Sequence, residues 1–372
     1  MIYDQYPSKP HYLVLDGLRG VAALMVVFFH VMETHSTSHL DQVINHGYMA
    51  VDFFFILSGF VIGYAYDDRW GKGGMGLRDF FKRRLIRLHP MIVMGTLIGA
   101  ALFYFQASPL WPRIEFVPLW KLLAVMAVGF TLLPLPKSWD IRGWHEMHPL
   151  NGPAWTLFYE YIANILYALF VRRFSRLMLS VLVGLAAAAL VHMAVTSHAG
   201  DIVGGWALDA SGLRIGFTRL LYPFFAGLLL FRVSKTGRIG NAFLWSSLLL
   251  VVLLCVPRIG GAEHRWANGL YESLAIIFVF PLIVWIGASS GNESAGMKRT
   301  CKFLGDLSYP LYLTHYPLIY LYTGWISRTG KSFGQAWPVA LSLVLVAIAV
   351  AWGSLKLYDE PVRKWLRRKF SA

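Results

Sequence analysis

The sequence predicts an all-α protein, a polytopic bundle of transmembrane helices with about ten spans and one further re-entrant or interfacial segment. Three observations carry that prediction. Hydrophobic residues make up 56% of the 372 and charged residues only 15%, with a mean hydropathy of +0.52, whereas soluble domains carry roughly 25% charged residues. Apolar stretches near the ~20 residues that cross a bilayer recur along the whole chain. The 14 Trp and 18 Tyr supply the aromatic belts of the two membrane–water interfaces. The net charge of +14 reads as Lys and Arg gathered in cytoplasmic loops, so nucleic acid is not an expected partner. The two cysteines, Cys255 and Cys301, form neither a disulfide framework nor a metal-ligand spacing.

In chain order, spans are expected at 13–33, 48–66, 88–106, 153–171, 177–195, 213–231, 243–257, 270–287, 304–326 and 337–357. The apolar piece 118–134 is the ambiguous one. Basic clusters sit at "RWGKGGMGLRDFFKRRLIR" (69–87), "RRFSR" (172–176), "RVSKTGR" (232–238), "KRTCK" (298–302) and "RKWLRRK" (363–369), whereas 34–47 and 196–212 contain no Lys or Arg. If 118–134 does not cross, every cluster and both termini fall on the cytoplasmic side, as the positive-inside rule favours. That segment is then re-entrant or interfacial in a long outer loop. No repeat and no long linker divides the chain, so 1–372 reads as a single integral-membrane domain. Its first apolar stretch lacks the pattern of a cleaved signal.

Span 1, "LDGLRGVAALMVVFFH", carries Asp16, Arg19 and His30. Charge at the bilayer centre costs at least ~2.5–3.5 kcal/mol, so such groups need a partner, a wet cavity or a task. Eleven helical steps place His30 about 20° around the axis from Arg19 and ~16 Å along it, on one face. Asp16 is one turn before Arg19 and can pair with it. A structural ion pair and an interfacial histidine are the plain alternative.

Asp52 opens span 2 at a depth similar to His30, where it can orient an imidazole or serve as an exposed helix cap. Ser58 and Gly59 lie mid-span, where small residues let helices approach. Arg84 and Arg87 stand one turn apart at the cytoplasmic end of span 3. That spacing suits a phosphate or pyrophosphate, although positive-inside charge explains it equally. Trp155 fits an interfacial belt, and Glu160 is a carboxylate inside span 4. Tyr309 and His315 occupy a span interrupted by Pro310 and Pro317, where they can bond each other. His35, His39 and His46 share the first outer loop, but their spacing is no zinc pattern, and no metal site is expected. Together, a histidine, carboxylates and arginines in one apolar bundle favour catalysis or handling of a polar solute.

Six pieces resemble one family in order: "LDGLRGVAALMVVFFH" with its Arg-x10-His spacing, "VDFFFILSGFVI", "RRLIRLHP", "WTLFYE", "LSYPLYLTHYPL" and "DEPVR". They run from residue 15 to 363 and are similar to the acyltransferase 3 family of integral-membrane O-acyltransferases. Thr156 replaces a commoner Ser, and His89 precedes Pro90 where an aromatic residue often sits. The resemblance implies transfer of an acyl group, often acetyl, from cytoplasmic acyl-CoA to a hydroxyl of an extracytoplasmic carbohydrate or glycan, by an enzyme of the cytoplasmic membrane. Acyl-CoA is a substrate on this reading, and no tightly bound cofactor is expected.

The implied roles fall on named residues. Arg19, Arg84 and Arg87 hold the donor's phosphates. His30 is general base or transient acyl carrier. Asp52 and Glu160 complete the catalytic group. Asp16, Ser58, Trp155, Tyr309 and His315 support it or the substrate. Some relatives append an extracytoplasmic SGNH hydrolase-like domain, which this chain, stopping at Ala372, is expected to lack. The rival reading is a transporter or flippase for glycans or other polar compounds, which also uses intramembrane charge and broken helices. A membrane glycosyltransferase is a further rival, but it calls for acids where the first outer loop has histidines.

Overall fold

The computed structural model describes residues 9, 11–70, 74–291 and 293–370. Among them the chain forms α-helices joined by loops and short 3-10 or π turns, with one isolated backbone bridge, Ile239–Ser290, and no strand. The helices are α1 (Leu13–Glu33), α2 (Ala50–Tyr66), α3 (Leu77–Leu102), α4 (Leu119–Thr131), α5 (Ala154–Leu169), α6 (Arg176–Thr196) and α7 (Ala210–Val233). They continue with α8 (Ala242–Cys255), α9 (Arg265–Leu274), α10 (Phe280–Ala288), α11 (Ala295–Thr314), α12 (Tyr316–Thr329), α13 (Phe333–Ser354) and α14 (Glu360–Phe370). Single π turns, Ala275–Val279 and Leu355–Asp359, make α9–α10 and α13–α14 continuous.

Among the described residues, seven helical stretches are long and apolar enough to cross a membrane: 13–33, 47–66, 77–102, 176–196, 210–233, 265–288 and 333–370. The other expected spans fall on α5 of 16 residues, on α8 of 14, and on α11 of 20 and α12 of 14, which break at His315. Pro317 lacks the N–H that would continue the ladder there. The third span departs most from its expected start at 88, since α3 begins at Leu77. No breaker lies in 77–87, and its arginines face a polar cavity or solvent, so the helix tolerates them.

Loops tie the helix ends into two opposite faces. On the basic face Arg232 grips Asp67 at 2.6 Å and the Phe174 carbonyl at 3.0 Å, while Ile239 pairs with Ser289 at 2.7 Å. On the far face His39 and Arg258 share Asp201, Thr34 bonds Thr323, and Met147 N–H donates to Trp206. α4 is too short to cross. Its C-terminal carbonyl at Phe130 accepts from His89 Nε2 at 2.7 Å, at the midpoint of α3. A large apolar flank of the bundle is exposed, for example Leu177, Val181 and Leu185 of α6, as a lipid-facing surface requires.

The core is set by two close helix pairs, α1 on α11 and α2 on α7. A Cβ on Gly20 would lie 2.4 Å from the Leu304 carbonyl oxygen, and one on Gly59 would lie 1.8 Å from that of Phe224. Gly227 faces Ile56 as tightly in return, at 2.0 Å. With lipid on the outside, close backbone approach replaces the hydrophobic drive between helices. Gly59→Ala is expected to destabilise the fold by about 3 kcal/mol, at the upper end of overpacking costs because a backbone rather than a side chain must move. Thermal unfolding in detergent checks this. Gly184→Ala, with open space around it, is the control and should leave stability within about 0.5 kcal/mol.

Candidate active site

α1 carries the site's two ends. Near its basic-face end Asp16 Oδ1 accepts from Arg19 Nη1 at 3.1 Å, the expected pair. Near its other end His30 Nδ1 lies 2.8 Å from Glu33 Oε2, one turn on. That bond assigns the Nδ1–H tautomer and leaves the Nε2 lone pair free to take a proton. His30 is only partly exposed. Its ring packs edge-on to Tyr316, with centroids 4.7 Å apart, and stacks on His315 at 5.7 Å. Glu33 went unnoticed in the sequence, although its i+3 spacing from His30 was the available signal.

Between α1, α2, α3, α5 and α11 lies a cavity of about 670 Å³. Its mouth on the basic face carries Lys9, Arg69, Lys302, Arg363 and Arg367; Arg19 and Arg87 stand further in. Arg87 is open to the cavity and has no hydrogen-bond or ion-pair partner among the described residues. Arg84, expected beside it as a second phosphate ligand, instead donates to Glu160 Oε1 at 2.7 Å. Ser58 Oγ also donates to Glu160, at 3.3 Å. Glu160 therefore belongs to the cavity wall with Arg84 and Ser58. Tyr309 lines the same wall and donates to the Leu88 carbonyl at 2.6 Å rather than to His315.

The inner end of the cavity is closed by rings. Tyr312 hydrogen-bonds Thr156 at 3.0 Å and packs edge-on to Phe54 at 5.4 Å. Behind it stands His315, with ring centroids 6.0 Å apart, and behind His315 stands His30. Thr156, the residue that departs from the commoner Ser, thus keeps the hydroxyl that holds this closure.

Asp52 does not face His30. It is fully buried and takes a two-pronged bond from Arg219 of α7, at 3.2 Å from Nε and 2.6 Å from Nη2. Arg219 also donates to the Tyr48 and Gly204 carbonyls, and Trp155 covers its guanidinium at 5.4 Å. Trp155 thereby supports a buried ion pair, not an interface belt. A carboxylate with a guanidinium fork on it has its lone pairs committed, so Asp52 is placed to hold α2 to α7 rather than to orient an imidazole. Arg219 was missed, though an arginine inside an apolar span was the signal that Asp52 had a partner. The three loop histidines separate: His35 bonds Tyr322, His39 bonds Asp201 and His46 bonds Asn268.

Such a bundle can hold an anionic carrier on its basic face while a histidine at the other end removes a proton. The chain is similar to known proteins over most of its length. Residues 12–356 match the family described as "Acyltransferase domain". "Protein 2 in picA locus" of Rhizobium radiobacter is 32% identical over 170 residues, 44% of this chain and 84% of that protein. "Acyltransferase MdmB" of Streptomyces mycarofaciens is 24% identical, covering 95% of this chain and 92% of its own length. "Peptidoglycan O-acetyltransferase OatA" of Listeria monocytogenes is 23% identical over 96% of this chain, which spans only 56% of that longer protein. No solved structure gives a significant match. With the family's match running from the start of α1 to the π turn after α13, this chain belongs to the acyltransferase 3 family and is a membrane acyltransferase.

Proposed function

We propose that this protein moves an acyl group, acetyl first among them, from cytoplasmic acyl-CoA to a hydroxyl of an extracytoplasmic envelope glycan. The observation that carries the reading is the division of α1: a cationic cavity at one end and the His30–Glu33 pair at the other, separated by the rings of Tyr312 and His315. Arg19 and Arg87, with the lysines and arginines of the mouth, meet the phosphates of CoA by charge-assisted bonds. Arg84 acts indirectly, by holding Glu160 in the wall. The thin pantetheine arm follows the slot past Ser58 to Tyr312. His30 takes the proton of the acceptor hydroxyl, and Glu33 stabilises the imidazolium that results. A cavity closed at its inner end favours passage of a small group over passage of a whole solute.

In this reading the chain crosses ten times, with both termini in the cytoplasm. α5, α8 and the α11–α12 pair complete the count, and α4 enters halfway as a re-entrant helix capped by His89. The gathering of the Arg-rich loops on one face supports that orientation.

The test is acetyl transfer by the purified protein in proteoliposomes, using radiolabelled acetyl-CoA and a panel of envelope glycans, muropeptides first. The expected result is acceptor-dependent release of CoA with base-labile label on the glycan. Label appearing without CoA release, or no dependence on acetyl-CoA, would sink the reading.

A further inference from the structure

His315 carries a feature that neither the fold nor the roles above require. It is fully buried at the junction of α11 and α12. Its Nδ1–H donates to the Leu311 carbonyl at 3.0 Å, which fixes the tautomer and makes Nε2 an acceptor. Nε2 has no hydrogen-bond partner among the described residues. Burying an unmade polar group costs about 1–3 kcal/mol, a penalty that Leu or Phe would avoid at this position. The imidazole also stands midway between the two halves of the site. Tyr312, which closes the cavity, lies 6.0 Å on one side, and His30 lies 5.7 Å on the other.

We propose that His315 is a second catalytic imidazole, which returns the acceptor's proton to the departing thiolate of the donor. The inference rests on the acyl-CoA reading above. As the acceptor oxygen bonds to the acyl carbonyl carbon, His30 Nε2 takes its proton. The carbonyl–sulfur bond breaks, and the thiolate leaves with the electron pair. The proton passes from His30 Nε2 to His315 Nε2, between rings whose centroids are 5.7 Å apart. From His315 it goes to the sulfur, releasing CoA as the free thiol. Both imidazoles end neutral, and no other reactant is consumed. A desolvated imidazolium is costly, so His315 holds the proton only in passing.

His315→Gln keeps a polar side chain of similar reach but cannot relay a proton. In the full-length protein it should bind acetyl-CoA within threefold of the parent, unfold at the parent's temperature, and lose at least about 100-fold in turnover. With 4-nitrophenyl acetate, whose phenolate leaves unprotonated, the loss should be under fivefold. In mixed H₂O and D₂O the parent's turnover with acetyl-CoA should give a bowed proton inventory, the mark of more than one proton in flight. Equal losses with both donors, a loss under fivefold with acetyl-CoA, or a linear inventory in the parent would each overturn the proposal. A parent that releases no CoA from acetyl-CoA would instead overturn the donor reading itself.

Discussion

His30→Ala is expected to lower acetyl transfer by about 10³-fold or more while the protein accumulates normally and still binds acetyl-CoA. General-base catalysis typically supplies 10²–10⁴-fold. The ring is partly exposed at the end of α1, so its removal leaves no large cavity in the core. Donor binding is unaffected because the cationic cavity does not include His30. Glu33→Gln should cost less, about 10–100-fold, since it keeps a hydrogen-bond acceptor for Nδ1–H but loses the charge that stabilises the imidazolium. The check is CoA release against protein level and donor affinity in the same preparation. Full activity of His30→Ala would remove the histidine from the mechanism.

Asp52→Asn should fail in a different way. Breaking a buried ion pair from one side costs about 3–5 kcal/mol, because the remaining charge is stranded. Here Arg219 would keep the Tyr48 and Gly204 carbonyls but lose its counter-charge beneath Trp155. The expected outcome is a lowered unfolding temperature and reduced protein in the membrane. Replacing both partners, with Asp52→Leu and Arg219→Met, should be less harmful than either single change. Membrane abundance and thermal unfolding decide between the two accounts of Asp52. An Asp52→Asn protein of parental stability that no longer transfers acyl groups would restore the carboxylate to the catalytic group.

The sequence was informative wherever the physics is local. Hydropathy over ~20 residues locates a helix without knowledge of its neighbours, and expected spans such as 13–33 and 177–195 coincide with α1 and α6 to within a residue or two. The Asp16–Arg19 pair lies within one turn of one helix and was legible for the same reason. So was Glu33 in principle, as a carboxylate three residues after His30. The break at Pro317 follows from the missing N–H.

Partners across helices were not legible. Asp52 had His30 as its nearest expected neighbour in depth, yet depth along the membrane normal says nothing about which helix lies beside which. Packing of Gly59 against the Phe224 carbonyl and of Gly227 against that of Ile56 brings α7 onto α2, and with it Arg219 onto Asp52. Likewise Arg84 and Arg87 are one turn apart in sequence, but α5 approaches only the face that carries Arg84 and brings Glu160 to it, leaving Arg87 to the cavity. By itself the sequence determined an all-helical membrane protein, the face of α1 that bears Arg19 and His30, and the family. Only the tertiary structure decided which buried charges neutralise each other, which stay open for a ligand, and that His315 stands between the cavity and His30. Coulomb and hydrogen-bond energies depend on distances of a few ångströms, and those distances are set by helix neighbours tens to hundreds of residues away in the chain.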